Sequence, residues 1–237
     1  MLLPGVIMLL IFSIVPMAGI VMAFQKYEPL KGILGSKFIG LHNFKVIFTM
    51  PNSIQVIKNT LIIATAKIIL NLLIPITFSL ILNESRVRWF KRSVQTIVYL
   101  PNFISWVIVA AMFVNVFSYT GMVNTFLKIL GLEEPILFMA SNTWMRPIII
   151  LTDAWKTFGF SAIVYISAIT SINPCLYESA DIDGANRWQK VWSITLPGIL
   201  PMIIIMATLS LGNILNAGFD QIFNMYNPAV YRTVDIL

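Results

Sequence analysis

The chain has 237 residues, of which 58% are hydrophobic and only 11% are charged, and its mean hydropathy is +0.84. Soluble globular proteins carry roughly 25% charged residues, so this composition excludes soluble enzymes, disordered chains and disulfide-stapled secreted domains and indicates a protein whose solvent is partly lipid. The net charge of +6 comes from scattered Lys and Arg residues rather than from a basic run with interleaved aromatic residues, so nucleic acid is not an expected partner.

Five stretches of the chain are long and apolar enough to cross a membrane, which takes about 20 residues of helix. They are 2–24, 60–82, 94–117, 147–169 and 198–217. The first is not a signal peptide, because its apolar run is too long and no small-residue cleavage site follows it. Because it also lacks a basic flank and the chain stops abruptly at Leu237, we expect both ends of a longer protein to be absent. The pattern predicts an all-α membrane protein, with one transmembrane domain over 1–237 and a bundle of about five transmembrane helices.

The loops between these stretches differ in polarity. The loop 83–93 is short and carries four basic residues, and the loop 170–197 is the most polar part of the chain; the basic residues are Arg86, Arg88, Lys91 and Arg92. Six Lys and Arg residues fall on one side of the membrane and eight on the other, so the excess of basic residues expected in cytoplasmic loops leaves the orientation undecided.

Residues that could build a catalytic or metal site are scarce. Cys175 is the single cysteine and His42 the single histidine. A metal cluster or His-based catalysis would need partners that the sequence does not supply, and no nucleophile–base pair is visible. We therefore expect no metal site and no enzymatic activity in this chain.

The polar loop 170–197 has an ordered pattern of its own. Pro174 is placed to begin a short helix, Gly184 supplies a turn or a close backbone approach, and Trp188 and Trp192 give a second short helix an apolar face. Pro197 then opens the last apolar stretch. The sequence predicts a short helix, a glycine break, a second short helix and a new span.

This loop resembles the cytoplasmic EAA loop of permease subunits of ABC importers. In that family Glu-Ala-Ala is followed by three residues, Gly, nine residues, Ile, one residue and Leu-Pro. Here 178–180 reads Glu-Ser-Ala, and Gly184, Ile194 and 196–197 follow at the same spacing, with Ser179 as the one departure. The resemblance extends over nearly the whole chain through Asp183-Gly184-Ala185, Gly40-Leu41-His42-Asn43-Phe44, Leu100-Pro101 and Tyr226-Asn227-Pro228. Within the carbohydrate-uptake permeases of the maltose/oligosaccharide type, the chain most resembles the oligosaccharide permeases, whose fifth span ends as residues 212–221 do here.

The resemblance implies a cytoplasmic coupling-helix loop that fits into a cleft of a separate ATP-binding subunit. It implies that the first span enters from the cytoplasm, that a sixth span follows Leu237, and that Trp188 and Trp192 pack the loop against the helices. The residues expected to couple to the ATPase are Glu178, Ser179, Ala180, Asp181, Asp183 and Gly184.

The implied function is that of a membrane-spanning permease subunit of an ATP-driven, binding-protein-dependent importer for an oligosaccharide or another carbohydrate, in a bacterial inner membrane. The expected partners are a dimer of ATP-binding cassette subunits, a second permease subunit, an extracytoplasmic solute-binding protein and membrane lipid. The sequence has no Gly-x-x-x-x-Gly-Lys-Ser/Thr loop. No cofactor is therefore expected in this chain, and ATP and Mg²⁺ belong to the partner subunit.

Several polar side chains interrupt the apolar stretches. Lys67 and Asn71 lie one helical turn apart, and Asp153 and Lys156 are spaced to pair on one face. Burial of such groups in lipid costs a few kcal/mol, so they either neutralise each other structurally or line a water-filled vestibule. The resemblance adds candidate sugar contacts in the fourth and fifth spans, where aromatic rings can stack on sugars and amides can bind hydroxyls; they are Trp155, Lys156, Thr157, Phe160, Asn213, Asn216 and Asp220.

Two other functions stay open at this point. The chain could be an ABC permease for a solute other than a sugar. It could also be a secondary transporter or structural membrane subunit without an ATPase. Such a protein would show inverted repeats or would lack a cytoplasmic docking loop, and neither feature is seen in this sequence. Co-purification with an ATPase separates the two classes.

Overall fold

The structure, a computed structural model, describes residues 2–85, 87–132 and 134–236. Arg86 of the predicted basic loop lies outside the described residues. The chain divides into two compact units, Met1–Gln55 and Val56–Leu237.

The first unit is a long apolar helix followed by a small polar segment. Helix α1 spans Leu3–Phe24, and the segment after it contains β1 (Gln25–Lys26), α2 (Gly32–Gly35), β2 (Lys37–Phe38) and α3 (His42–Thr49). The two strands pair antiparallel, with Gln25 opposite Phe38. The side-chain amide of Asn43 donates to the carbonyls of Ala23 and Gln25, both at 3.0 Å, and so ties α3 to the end of α1. Asn43, within the Gly40–Phe44 motif, therefore has a structural role.

The second unit holds the remaining helices, of which α4 begins at the end of the first unit. They are α4 (Ser53–Glu84), α5 (Arg88–Phe103), α6 (Trp106–Val116), α7 (Met122–Ile129), α8 (Met145–Thr170), α9 (Pro174–Ile182), α10 (Arg187–Gly212), α11 (Phe219–Met225) and α12 (Tyr231–Val234). Helix α8 is the most enclosed of the spans, with half of its most apolar window buried. Its Met145, Ile148 and Ile149 form a core with residues of α4, α6 and α11.

The prediction of an all-α membrane protein is confirmed. Among the described residues, α1, α4, α8 and α10 are each long and apolar enough to span a membrane. Helices α5 and α6 pass the same test only as a pair, bent by 101°. The expectation of one continuous third span over 94–117 is therefore wrong: Pro101 cannot donate a backbone hydrogen bond, and Ile104 and Ser105 are extended.

The last span also differs from its prediction. The second short helix of the polar loop and the fifth span are one helix, α10, which begins at Arg187 and ends at Gly212 rather than at 217. Pro197 does not break it, because a π-helical turn over Val191–Thr195 widens the helix just before the proline ring. The same arrangement occurs in α1, where a π-helical turn over Leu10–Ile14 precedes Pro16.

A glycine allows α8 and α5 to touch. A Cβ atom added at Gly159 would fall on the backbone carbonyl of Val98, closer than real Cβ atoms approach other groups. Small residues at such crossings are the usual means of close helix packing in membranes. The contact places α8 directly beside the bend between α5 and α6.

Candidate functional site

The polar loop forms a helix with well-defined ends. The side chain of Asn173 caps α9 by accepting from the amide of Cys175 at 3.0 Å. At the other end Gly184 has a φ of +74°, and the amide of Ala185 donates to the carbonyl of Ala180 at 2.8 Å. This pair of features is the Schellman motif, in which a left-handed residue closes a helix. Gly184 is therefore required for the turn, and no described residue lies within 4 Å of a Cβ placed there.

Two side-chain contacts attach this helix to α10. The hydroxyl oxygens of Tyr177 and Thr195 lie 2.9 Å apart, and Thr195 is buried. Lys190 Nζ lies 2.5 Å from a carboxylate oxygen of Asp181. The start of α10 is itself fixed by a capping box between Asn186 and Gln189. These contacts join α9 to the first turns of α10.

The residues expected to couple to an ATPase lie together on α9 and its C-terminal turn. Glu178, Asp181, Asp183 and Gly184 are exposed, as is Ser179, whose hydroxyl donates to the carbonyl of Cys175; Ala180 is half-buried. The expectation that Trp188 and Trp192 pack the loop against the helices is wrong for this chain, because their exposed fractions are 74% and 68%. Trp188 lines an open apolar groove of about 360 Å³ between the end of α4 and the start of α10.

A second polar site lies inside the membrane helices, where α4 meets α8. Lys67 of α4 is 3.4 Å from Asp153 of α8, and only 6% and 8% of these residues are exposed. Lys67 Nζ also donates to the carbonyl of Ala217 at 2.9 Å and to the side-chain oxygen of Gln221 at 2.5 Å. The three N–H groups of the ammonium thus face three oxygens, which offsets the cost of burying its charge.

Two further polar side chains extend this cluster along α4 and α8. The amide of Asn71 donates to the second carboxylate oxygen of Asp153 at 2.9 Å. The hydroxyl of Thr157 lies 3.0 Å from the amide oxygen of Asn71. Lys67 and Asn71 therefore contact the same carboxylate, as their spacing of one turn allows.

Gln221 is a member of the cluster that the sequence did not reveal. It is fully buried, and its amide donates to the carbonyl of Ile149 and the hydroxyl of Thr152, both at 2.7 Å. With the contact to Lys67, its side chain joins α11 to α4 and α8. Gln221 lies four residues beyond the last predicted span, so its burial could not be read from hydropathy.

The pairing expected between Asp153 and Lys156 does not occur. Asp153 turns to Lys67 on α4, whereas Lys156 Nζ donates to the carbonyl of Asn102 at 2.9 Å and lies 5.2 Å from the centre of the Trp106 ring. A residue three positions further along a helix is rotated by about 60°, so neighbouring helices can separate two such side chains. Lys156 thus stabilises the bend between α5 and α6.

The polar cluster forms one wall of a cavity. The cavity measures about 270 Å³ and opens between α4, α8 and the turn after α10; its polar lining comes from Lys67, Asn71, Asp153, Ser210, Asn213 and Asn216. Both Asn213 and Asn216 are exposed. Amide side chains offer donors and acceptors together, which suits the hydroxyl groups of a polar solute.

The candidate sugar contacts separate into groups. Asn213 and Asn216 lie at the cavity, and Thr157 reaches its wall through Asn71. The rings of Trp155 and Phe160 pack edge-on against Phe113 and Phe103 at 5.3 and 6.1 Å, so with Lys156 they face α5 and α6. Asp220 is exposed on α11, where its backbone carbonyl accepts from Asn224, and it does not line this cavity.

Comparison with known proteins agrees with this architecture. The family of binding-protein-dependent transport system inner membrane components matches residues 75–219. The polygalacturonan/rhamnogalacturonan transport system permease protein YteP of Bacillus subtilis (strain 168) is 42% identical over 237 residues, which cover 100% of this chain and 74% of that protein. Protein LplB of the same strain is 35% identical, with the same coverage.

A solved structure has the same fold. It is a crystal structure of a bacterial ABC transporter involved in the import of the acidic polysaccharide alginate, with a TM-score of 0.90 and 43% sequence identity over 99% of this chain and 79% of that chain. A second structure shows the alginate transporter in complex with a periplasmic protein bound to an alginate pentasaccharide, again with a TM-score of 0.90. The chain therefore belongs to the family of binding-protein-dependent transport system inner membrane components, and it is a multi-pass membrane permease subunit of the ABC-importer type.

Proposed function

We propose that this chain forms part of the path by which an ATP-driven, binding-protein-dependent importer moves an oligosaccharide across a bacterial inner membrane. The observation that carries the proposal is the polar cavity inside the membrane helices, whose wall presents Asn71, Asn213 and Asn216. Amide side chains supply hydrogen bonds to a hydroxylated solute without adding charge. The proposed partners are a dimer of ATP-binding subunits, which would hold ATP and Mg²⁺, a second permease subunit and an extracytoplasmic solute-binding protein.

The finer substrate class that we propose is an oligosaccharide containing uronic acid. YteP is named for polygalacturonan and rhamnogalacturonan, and the structural relative imports alginate. These relatives are 42% and 43% identical to the chain, whereas the lactose permease protein LacF of Rhizobium radiobacter is 26% identical. The higher sequence identity to the relatives named for acidic polysaccharides favours an acidic over a neutral sugar as the substrate.

The loop and the cavity are joined by one helix, which supports a mechanical link between them. In the proposed cycle, closure of the ATPase subunits displaces α9 through Glu178, Asp183 and the turn at Gly184. Helix α10 has 26 residues from Arg187 to Gly212, so it is about 39 Å long. It begins beside α9 and ends at the turn that carries Asn213 and Asn216, so that a displacement at one end changes the cavity at the other.

Transport by the complete complex in proteoliposomes tests the proposal. The complex is assembled with its second permease subunit, its ATPase and its binding protein, and uptake of a galacturonate oligomer, a neutral oligosaccharide of equal length and inorganic phosphate is compared. We expect ATP-dependent uptake of the galacturonate oligomer and none of phosphate. Uptake of the neutral oligomer at an equal rate would contradict the proposed preference for acidic sugars but not the importer function. Uptake without ATP hydrolysis would contradict the importer function.

A further inference from the structure

The turn between α10 and α11 has a strained backbone that needs an outside contact. Ala217 has a φ of +46° and Gly218 a φ of +82°, both in the left-handed region. A non-glycine residue in this region costs about 1–2 kcal/mol. The Ala217 carbonyl lies between the two helices and accepts a hydrogen bond from Lys67 Nζ at 2.9 Å. Lys67 therefore holds the turn at its most strained residue.

The turn is shaped around the Lys67 ammonium group. A Cβ atom at Gly218 would overlap Lys67 Nζ, so any larger residue there would displace the ammonium group in addition to straining the backbone at its φ. Lys67 is also bonded to Gln221, in the first turn of α11. A single ammonium thus fixes both the turn and the start of the helix that follows.

The same turn carries the amides that face the cavity. Asn213 follows the end of α10, and the side-chain oxygen of Asn216 accepts from the amide of Phe219 at 3.2 Å. Asp153, the ionic partner of Lys67, is bonded in turn to Asn71 on the opposite wall. Lys67 therefore joins the turn that carries Asn213 and Asn216 to the helix that carries Asn71, and Asp153 contacts both Lys67 and Asn71.

We propose that Lys67, paired with Asp153, is a positioning residue for transport. It does not bind the solute, because its N–H groups are directed to Ala217, Gln221 and Asp153; it holds the Asn213–Gly218 turn in the geometry that receives the solute. This inference rests on the proposed function of the cavity. Two measured quantities should respond differently: loss of the positioning contact should lower solute transport, whereas stimulation of the ATPase should persist.

The test uses the complete reconstituted complex with saturating loaded binding protein. Lys67→Met alone would leave the buried Asp153 carboxylate without its ion pair, so the informative variant is the double substitution Lys67→Met and Asp153→Asn. We expect it to assemble and to retain ATPase stimulation within about twofold of the unsubstituted complex. We also expect the solute transported per ATP to fall about tenfold, the effect of losing one or two hydrogen bonds. Lys58→Met, at an exposed lysine of the same helix, is the matched control and should leave both values unchanged.

A second variant changes the turn rather than the lysine that contacts it. Gly218→Ala forces the Lys67 ammonium away from the turn and should also lower solute transported per ATP while ATPase stimulation persists. An unchanged ratio in the double variant, or failure of that variant to assemble, would overturn the positioning role. Absence of galacturonate uptake by the unsubstituted complex would instead contradict the proposed function, so the two failures are distinguishable.

Discussion

Substitution of Gly184 separates the conformation of the coupling loop from its docking. The residue has a φ of +74° and closes α9, with the amide of Ala185 bonded to the carbonyl of Ala180. Alanine in this left-handed position costs about 1–2 kcal/mol, which reduces the population of the closed turn relative to open forms by a factor of about 5–30. Asparagine tolerates the left-handed region far better, so Gly184→Asn should keep the turn.

Comparison of the two variants separates the turn from the proposed contact with the ATPase, because only Gly184→Ala strains the turn. Since a Cβ at Gly184 meets no described atom within 4 Å, any further loss in Gly184→Asn must come from a partner that covers this position. We expect both variants to insert in the membrane in normal amounts, and both to lose ATPase co-purification and transport, with Gly184→Asn as defective as Gly184→Ala. The measurements are the amount of ATPase recovered with the purified permease and the ATP-dependent uptake. Recovery of both to normal in Gly184→Asn would show that the glycine serves only the turn, and would refute its proposed contact with the ATPase.

Three further expectations concern the stability of the purified complex, measured by thermal unfolding in detergent. Gly159→Ala places a Cβ on the Val98 carbonyl and should lower the free energy of unfolding by about 1–3 kcal/mol. Gly212→Ala, where a Cβ meets no described atom within 4 Å, is its control and should change the free energy of unfolding little. Lys156→Met removes the charged donor at the bend between α5 and α6 and should cost about 1.5–3 kcal/mol, and an equal stability would contradict its role there. Asp181→Asn removes an exposed ion pair and should cost less than about 1 kcal/mol, with a difference that vanishes in high salt.

The membrane spans were predictable because lipid imposes a simple rule on sequence. A helix that crosses a bilayer satisfies its own backbone and exposes apolar side chains, so hydropathy located α1, α4, α8 and α10. The broken third span was not found, because residues on both sides of Ser105 are apolar and hydropathy carries no information about direction. Continuity of α10 through Pro197 was missed for a related reason: a π-helical turn absorbs the proline, and composition does not distinguish a widened turn from a break.

The polar cluster was predictable in its members but not in its pairs. The cost of burying charge in lipid indicates that Lys67, Asp153 and Lys156 need partners. Spacing along one helix predicted that Asp153 pairs with Lys156. The structure instead pairs Asp153 with Lys67 on a different helix. Which helices adjoin is decided by packing, such as the close contact at Gly159, and that information is not local in the sequence. The burial of Gln221 was not predictable, because no local sequence feature distinguishes a buried from an exposed glutamine outside a predicted span.

The position of these charges constrains which parts of the permease can move. An ion pair in a low-dielectric interior loses far more when one partner is withdrawn than the same pair does in water, so the elements joined through Lys67 should stay together through a transport cycle. Those elements are α4, α8 and the turn that begins α11. Helix α10 has only 11% of its most apolar window buried, against 50% for α8. Motion of α10 against a block formed by α4 and α8 therefore breaks fewer buried contacts than motion of α8 would, and it would change the cavity on the side where Asn213 and Asn216 lie.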